Sequence, residues 1–214
     1  DVASVLVGTS GAGDLDIGQT GATLGATANG IGAVTILRTA VVDIFDDMDI
    51  GQAGGSAQAT GNGTLTVNDV NSFHVGAAIN VGTTNSTSGV QDGNGAVNLS
   101  FVDVLDIGSH LALGRSITNG GADTGDGSAQ LLDMGTVTIG GALFTGNASS
   151  NGGGSASSTG NLLIDRATSV QIGADLDVGQ AGVGSAVITG SGIVTSLGLA
   201  TIRNVTGTLQ VAGD

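Results

Sequence analysis

The residues that could do chemistry in this chain are almost all aspartates. Eighteen acidic residues, every one Asp, stand against four Arg, no Lys and two His. Asp43, Asp46, Asp47 and Asp49 crowd into one short stretch, Asp123 and Asp126 form a second group, and Asp92 stands between. Clustered carboxylates suit a hard cation, and calcium takes six to eight oxygens from carboxylates and carbonyls. Calcium at Asp43, Asp46, Asp47, Asp49, Asp123 and Asp126 is therefore one expectation, and no other cofactor is expected. The Gly/Asp-rich calcium nonapeptide G-G-x-G-x-D is absent and no EF-hand loop occurs, so solvated surface carboxylates are the plainer reading.

Catalysis finds less support. There is no Cys, and His74 and His110 are isolated, each reading as a surface histidine. No G-x-S-x-G elbow or His-rich metal triad exists. Solenoid lyases and hydrolases of sugar chains need grouped carboxylates, a cation and an aromatic-lined groove. Here the aromatics are Phe45, Phe73, Phe101 and Phe144 alone. A formal charge of −14 argues against nucleic acid, whose phosphates need clustered cations. No apolar run approaches the ~20 residues of a membrane-spanning helix, so membrane insertion is not expected. No signal peptide opens the chain, so an exported protein would be read here in mature form or as a fragment.

The elements that would carry these side chains are strands. Glu and Lys, which populate exposed helix faces at little entropic cost, are missing. Val, Ile and Thr are plentiful and favour strands. Gly numbers 41 and Pro none, while 40% of residues are hydrophobic, too many for a disordered Gly/Ser polymer. The expectation is an ordered all-β protein.

A repeat organises it. Leu65, Val67, Val70, Phe73, Val75, Ile79 and Val81 follow the spacing 2, 3, 3, 2, 4, 2, and the same spacing starts again at Val34, Val97, Ala129 and Leu162. Of these 35 positions only Thr39 and Thr145 are polar. A weaker copy runs from Ala186 to Ile202, only 24 residues after its predecessor. "GTLQV" at 207–211 echoes "GTLTV" at 63–67, and "SVLVG" at 4–8 reads as the tail of an earlier unit. Each i, i+2 pair is a short strand with both side chains on one face. Three such strands joined by bends make one coil, and a lone coil cannot bury enough surface to offset its chain entropy, so coils must stack. The prediction is a β-solenoid of six to seven coils, 24–33 residues each, forming one domain over 1–214 with repeat ends near 17, 50, 81, 113, 145, 178 and 202. The heptapeptides "LDIGQTG", "MDIGQAG" and "LDVGQAG" mark the corner where a strand ends in Gly and turns.

Between these corners and the next strand lie Gly-rich inserts at 18–33, 51–64, 82–96, 114–128 and 146–161. They are expected to be mobile and to stack on one side as a ridge. Outward positions align coil to coil: Asp16, Asp49, Asn80, Ala112, Phe144 and Asp177 in one column, Asp43, His74, Asp106, Thr138, Gln171 and Thr195 in another. At the ~4.8 Å spacing of adjacent strands, Asp16 and Asp49 repel by about 1 kcal/mol in a water-like dielectric. Asp43, His74 and Asp106 should alternate favourably. Arg38 should pair with Asp69, and Arg166 with Asp133.

The pattern L-x-[IV]-G-x-x-G followed by the three strand pairs, most closely "LDVGQAGVGSAVITGSGIVTS" at 176–196, resembles the roughly 30-residue repeat of bacterial autotransporter passengers and PEP-CTERM-associated surface proteins. The resemblance implies a secreted β-solenoid on a bacterial surface, often part of a large adhesin or matrix protein. The functional expectation is a non-catalytic, extracellular structural or adhesive solenoid. Its partners are itself, head to tail through Val2, Val5, Val7, Leu209 and Val211, and cell-surface or matrix polysaccharide. The rivals are a calcium-dependent carbohydrate-binding module and a polysaccharide-processing enzyme on the same fold.

Overall fold

The computed structural model describes residues 2–8, 13–23, 26–196, 198, 200–202 and 208–212. It is an all-β solenoid in which every strand-to-strand ladder is parallel. One sheet stacks eight rungs, from Val2–Val7 through Thr27–Ile44, Gln58–Val75, Val90–Ile107, Ala122–Leu132, Ser155–Asp165 and Val183–Thr189 to Thr208–Ala212. A second sheet stacks seven, from Leu15–Ile17 to Ala200–Ile202. The register is that of the repeat: Leu65 lies beside Val34 and Val97, Phe73 beside Val42 and Leu105, and Ile79 beside Met48 and Leu111.

The repeated positions form one continuous core. All 35 are buried except Val34, which packs half-buried against it. Thr39 and Thr145 are as buried as their apolar neighbours; the Thr39 hydroxyl donates to the Leu37 carbonyl at 3.4 Å, while that of Thr145 has no partner. In the shorter copy Ala186, Ile188 and Ser191 are buried, and the side chains of Ala200 and Ile202 lie outside the described residues. The first two strands of a coil run on as one long strand in three coils, broken in direction by a residue with positive φ. Arg38, Asp69, Phe101, Asp133 and Arg166, with φ between 52° and 61°, stack at that bend. Asp tolerates this left-handed region better than bulky residues do; the guanidinium and phenyl groups at the same bend are exposed, so the conformation is imposed by the ladders on either side of the bend and not by packing of these side chains.

The inserts stack in register on one side, as expected, but as paired strands and not as mobile surface loops. Each is a pair of strands leaving and re-entering the coil, such as 83–86 and 90–96, and they stack in register as an arm with its own interior. In the coil of Ala53, Ala57 and Ala59 that interior is all methyl groups, forming a second small cluster with Ala22. In the next two coils the facing positions are Thr84, Ser86, Gln91, Ser116, Thr118 and Asp123, all buried.

Paired glycines form the neck between arm and body. Gly18, Gly51, Gly82, Gly114 and Gly146 close the repeated corner with φ between 61° and 68°. A Cβ on Gly82 would lie 1.7 Å from the Asp126 carbonyl oxygen of the following coil. On the re-entering strand, Gly63, Gly95, Gly127 and Gly160 pack against the corner glycines, and a Cβ on Gly95 would lie 2.4 Å from the Gly82 nitrogen. The heptapeptide therefore recurs because its first Gly must both turn left-handed and admit a neighbouring backbone where no side chain fits. Gly82→Ala should cost roughly 3 kcal/mol or more in urea unfolding. Gly153→Ala, also at positive φ but with nothing within 4 Å of its Cβ, should cost only the conformational strain of about 1–2 kcal/mol.

Candidate functional site

The structure separates the carboxylates that the sequence places close together. Asp43 faces outward on Thr27–Ile44 beside His74, whereas Asp49 faces outward from the other sheet between Asp16 and Asn80. Asp46 and Asp47 lie in the turn between; the Asp47 carboxylate accepts from the Ala78 N–H at 2.8 Å. Asp123 and Asp126 are three apart on one strand, so they point to opposite faces: Asp123 is buried in the arm, Asp126 half-exposed outside it. Among the described residues no group of three or more Asp, Glu, His or Cys is placed to hold a metal ion. The geometry thus does not assemble the calcium set expected from the sequence spacing.

The outward columns are as aligned, with unequal pairing. His74 Nδ1 lies 3.2 Å from Asp106 Oδ2, while Asp43 Oδ1 is buried with no hydrogen-bond partner. Arg166 pairs bidentately with Asp133 at 2.6 and 2.8 Å and also reaches Asp165 at 2.5 Å, and this holds the Asp133 carboxyl below its usual range. Arg38 and Asp69, adjacent at the bend, form no ion pair; the pairs among the described residues are those of His74 and Arg166.

One relay of hydrogen bonds links three successive coils into a polar patch and meets a ring from a fourth. Asn80 Nδ2 donates to Asp49 Oδ1 at 2.9 Å, which leaves Asn80 Oδ1 to accept from His110 Nε2 at 3.3 Å. His110 Nδ1 then accepts from the Ser109 hydroxyl at 3.3 Å, and its ring meets Phe144 edge-on at 6.0 Å. His110 is consequently a half-buried, engaged side chain, not the free surface histidine expected. Burial, then the Arg115 charge, pushes its pKa down against the opposing pull of Asp47. Serine, neutral histidine and an orienting amide are the residue types of a nucleophile and its base. The N–H groups of Gly108, Ser109 and Leu111 all donate to neighbouring coils, however, so the converging donors that a developing oxyanion needs are not assembled.

A groove runs along the outer side of the neck. It has a volume of about 490 Å³ and draws its walls from five successive coils, at 31–33, 62–64, 94–96, 126–128 and 159–161. At ~4.8 Å per rung it is roughly 19 Å long. Gly32, Gly63, Gly95 and Gly127 line it with the apolar Ile31, Ala33 and Ala96, while Asn62, Asn94, Asp126, Thr159 and Asn161 add amides, hydroxyls and one carboxylate. Sequence reasoning missed this groove because it arises from the bend at the neck, which depends on the inserts being strands.

The residues expected to mediate self-association sit on the outer rungs. Val5 and Val7 pack half-buried beside Val42 and Ile44, and Leu209 beside Ala186, while Val211, beside Ile188, is half-exposed. The Val2 side chain and Gly207 lie outside the described residues. Among the described residues, the first and last rungs of each sheet have a ladder partner on one side.

Burial first, then the Asp16, Asp47 and Asp14 charges, raise the Asp49 pKa against the Asn80 hydrogen bond. A raised carboxyl pKa means the folded chain binds the proton more tightly, so this contribution is complete below the ordinary value of about 3.9 and is lost as pH rises through the folded value. Asp49→Asn keeps an acceptor for Asn80. At neutral pH it should raise the melting temperature, by an amount that solvent screening of this partly exposed carboxylate keeps small. The gain should vanish in acid.

Neither protein-family models, curated proteins nor solved structures match the chain, so its role has to be read from its own geometry.

Proposed function

We propose that this chain is part of a non-catalytic, extracellular structural and adhesive solenoid of a bacterial surface, which extends by stacking coil upon coil. The observation that carries the reading is the unbroken parallel ladder, in one register from Val2–Val7 to Thr208–Ala212, a pattern that a further coil of the same register can continue. That coil can come from more of the same polypeptide or from a second copy by strand addition. A head-to-tail contact of this kind does not close on itself and gives a filament. The dispersal of carboxylates over separate faces and the unassembled oxyanion donors support a role without chemistry. The groove across five coils, which sets amides and hydroxyls among apolar and glycine positions, supports a polyhydroxylated polymer, a matrix polysaccharide, as the adhesive partner.

Purified chain should form thin fibres with an axial repeat of about 4.8 Å by electron microscopy and fibre diffraction. Removing residues 207–214 should abolish the fibres and leave a folded β-rich monomer. Fibres that persist in the shortened chain would sink end-to-end stacking.

A further inference from the structure

The polar interior of the arm contains two acceptors with nothing to accept, and the buried hydroxyls of Thr84 and Ser158, also without partners, make no hydrogen bond to either. Gln91 and Asp123 are neighbours across the ladder, both pointing inward and at most 2% exposed. Gln91 Nε2 donates to the Ala57 carbonyl, which fixes the amide's orientation and leaves Gln91 Oε1 buried without a partner. Asp123 Oδ1 accepts from the Ser86 hydroxyl at 2.7 Å, and Asp123 Oδ2 is likewise buried without a partner.

The surrounding hydrogen bonds all run one way. The Gly121 N–H donates to Thr118 Oγ1 at 2.8 Å, and Thr118 Oγ1 lies 3.0 Å from Ser86 Oγ. Ser86 has a single proton and gives it to Asp123, so Thr118 must donate to Ser86. The chain of donors thus ends on Oδ1, and Oδ2 faces the arm interior bare. Two neighbouring buried acceptors are unfavourable unless a positive hydrogen or a cation lies between them. No charged side chain of the arm supplies one. Facing Asp123 are Thr84 and Ser86 from Ile79–Ser86, Gln91 from Val90–Ile107, Ser116 and Thr118 from Leu111–Thr118, and Ala156 and Ser158 from Ser155–Asp165. The charged residues of these strands' arm portions, Asp92 and Arg115, alternate to the outer face.

We infer that Asp123 is a neutral carboxylic acid in the folded arm, its Oδ2 proton donated to Gln91 Oε1, and that ionising it loosens the arm while the body stays closed. A proton fits where no cavity is needed, and it removes the charge from an interior that has no counter-ion. Burial is the largest influence on the Asp123 carboxyl and pushes it up; the Ser86 hydroxyl and, after it, the nearby backbone of Gln91 and Ser86 pull it down, though no N–H reaches Oδ2 with hydrogen-bond geometry. The arm is therefore most stable below the ordinary carboxylate value of about 3.9 and loses that stability as pH rises through the raised folded value. The glycine neck confines the effect to the arm.

Asp123→Asn tests this, because its amide nitrogen can donate to Gln91 Oε1 while its oxygen accepts from Ser86. Hydrogen exchange of amides in 82–96 and 114–128, corrected for intrinsic rates, should show wild-type protection falling between about pH 4 and pH 7. The fall should be about tenfold for each unit by which the folded pKa exceeds the ordinary value. The variant should keep its acid-level protection at both pH values, and body amides in 65–75 should not share the difference. Asp16 and Asp49, whose carboxyls burial also raises, lie outside the arm, so the local comparison is unaffected by them. Carbon-13 titration of the wild-type Asp123 carboxyl gives an independent reading, with a midpoint expected above the ordinary range. A midpoint within or below that range overturns the inference even if the variant folds poorly. So does arm protection that depends on sodium, potassium or calcium when compared with a bulky organic cation, because the missing partner would then be a metal ion.

Discussion

Backbone hydrogen bonds between the same position of successive coils govern everything else in this molecule. Each rung places Val beside Val and Asp beside Asp, so whatever a position holds is repeated at the spacing of the ladder. Apolar positions gain from this, since Leu65, Val97 and Ala129 lie side by side in one dry column. Charged positions lose, and the chain answers by changing residue after a rung or two. Asp16 and Asp49 are followed by Asn80, Ala112 and Phe144. Asp106 has His74 as its neighbour, and Asp133 has Arg166. These exposed pairs contribute little to stability, but each breaks a column that would otherwise repel itself.

The same ladder extends the arm, though on different terms. The body holds together by burying aliphatic side chains, whose contribution scales with area. The arm buries Ala in one coil and hydroxyls, an amide and a carboxyl in the next two, where stability rests on satisfying hydrogen bonds and not on area. Its interior is consequently sensitive to a single proton in a way the body's is not.

Sequence periodicity made the body legible almost to the residue, because the inward positions are large and apolar and their spacing repeats. It placed the inserts in a stacked ridge but did not reveal their strands or their buried interior, because Ala, Gly, Ser and Thr carry no apolar contrast between faces. A period of two was nonetheless present: Ala59, Gly61, Gly63, Leu65 and Val67 are all buried and alternate with Thr60, Asn62, Thr64 and Thr66. Reading small residues as inward would have carried the strand back through the insert. The acidic groups misled for a related reason. Nearness along the chain becomes nearness in space only on one face of one element, and Asp123 and Asp126 lie on opposite faces. The His110 relay was hidden because it joins neighbouring coils, and a singleton histidine gives no hint of partners 30 residues away.

The last full turn shows what the paired glycines permit. There Gly179 and Gly184 meet almost directly, with the Gly184 Cβ position 2.3 Å from the Gly179 nitrogen, and the coil shrinks to 24 residues without disturbing the register of Leu162 on Ala186 or Val170 on Val194. The arm is missing at the neck here and the trunk is whole. Length and breadth are thus separate variables in this architecture. Adding turns lengthens the rod, while lengthening or deleting what hangs from the glycines alters the girth and the surface it shows to its surroundings, turn by turn, with no repacking inside.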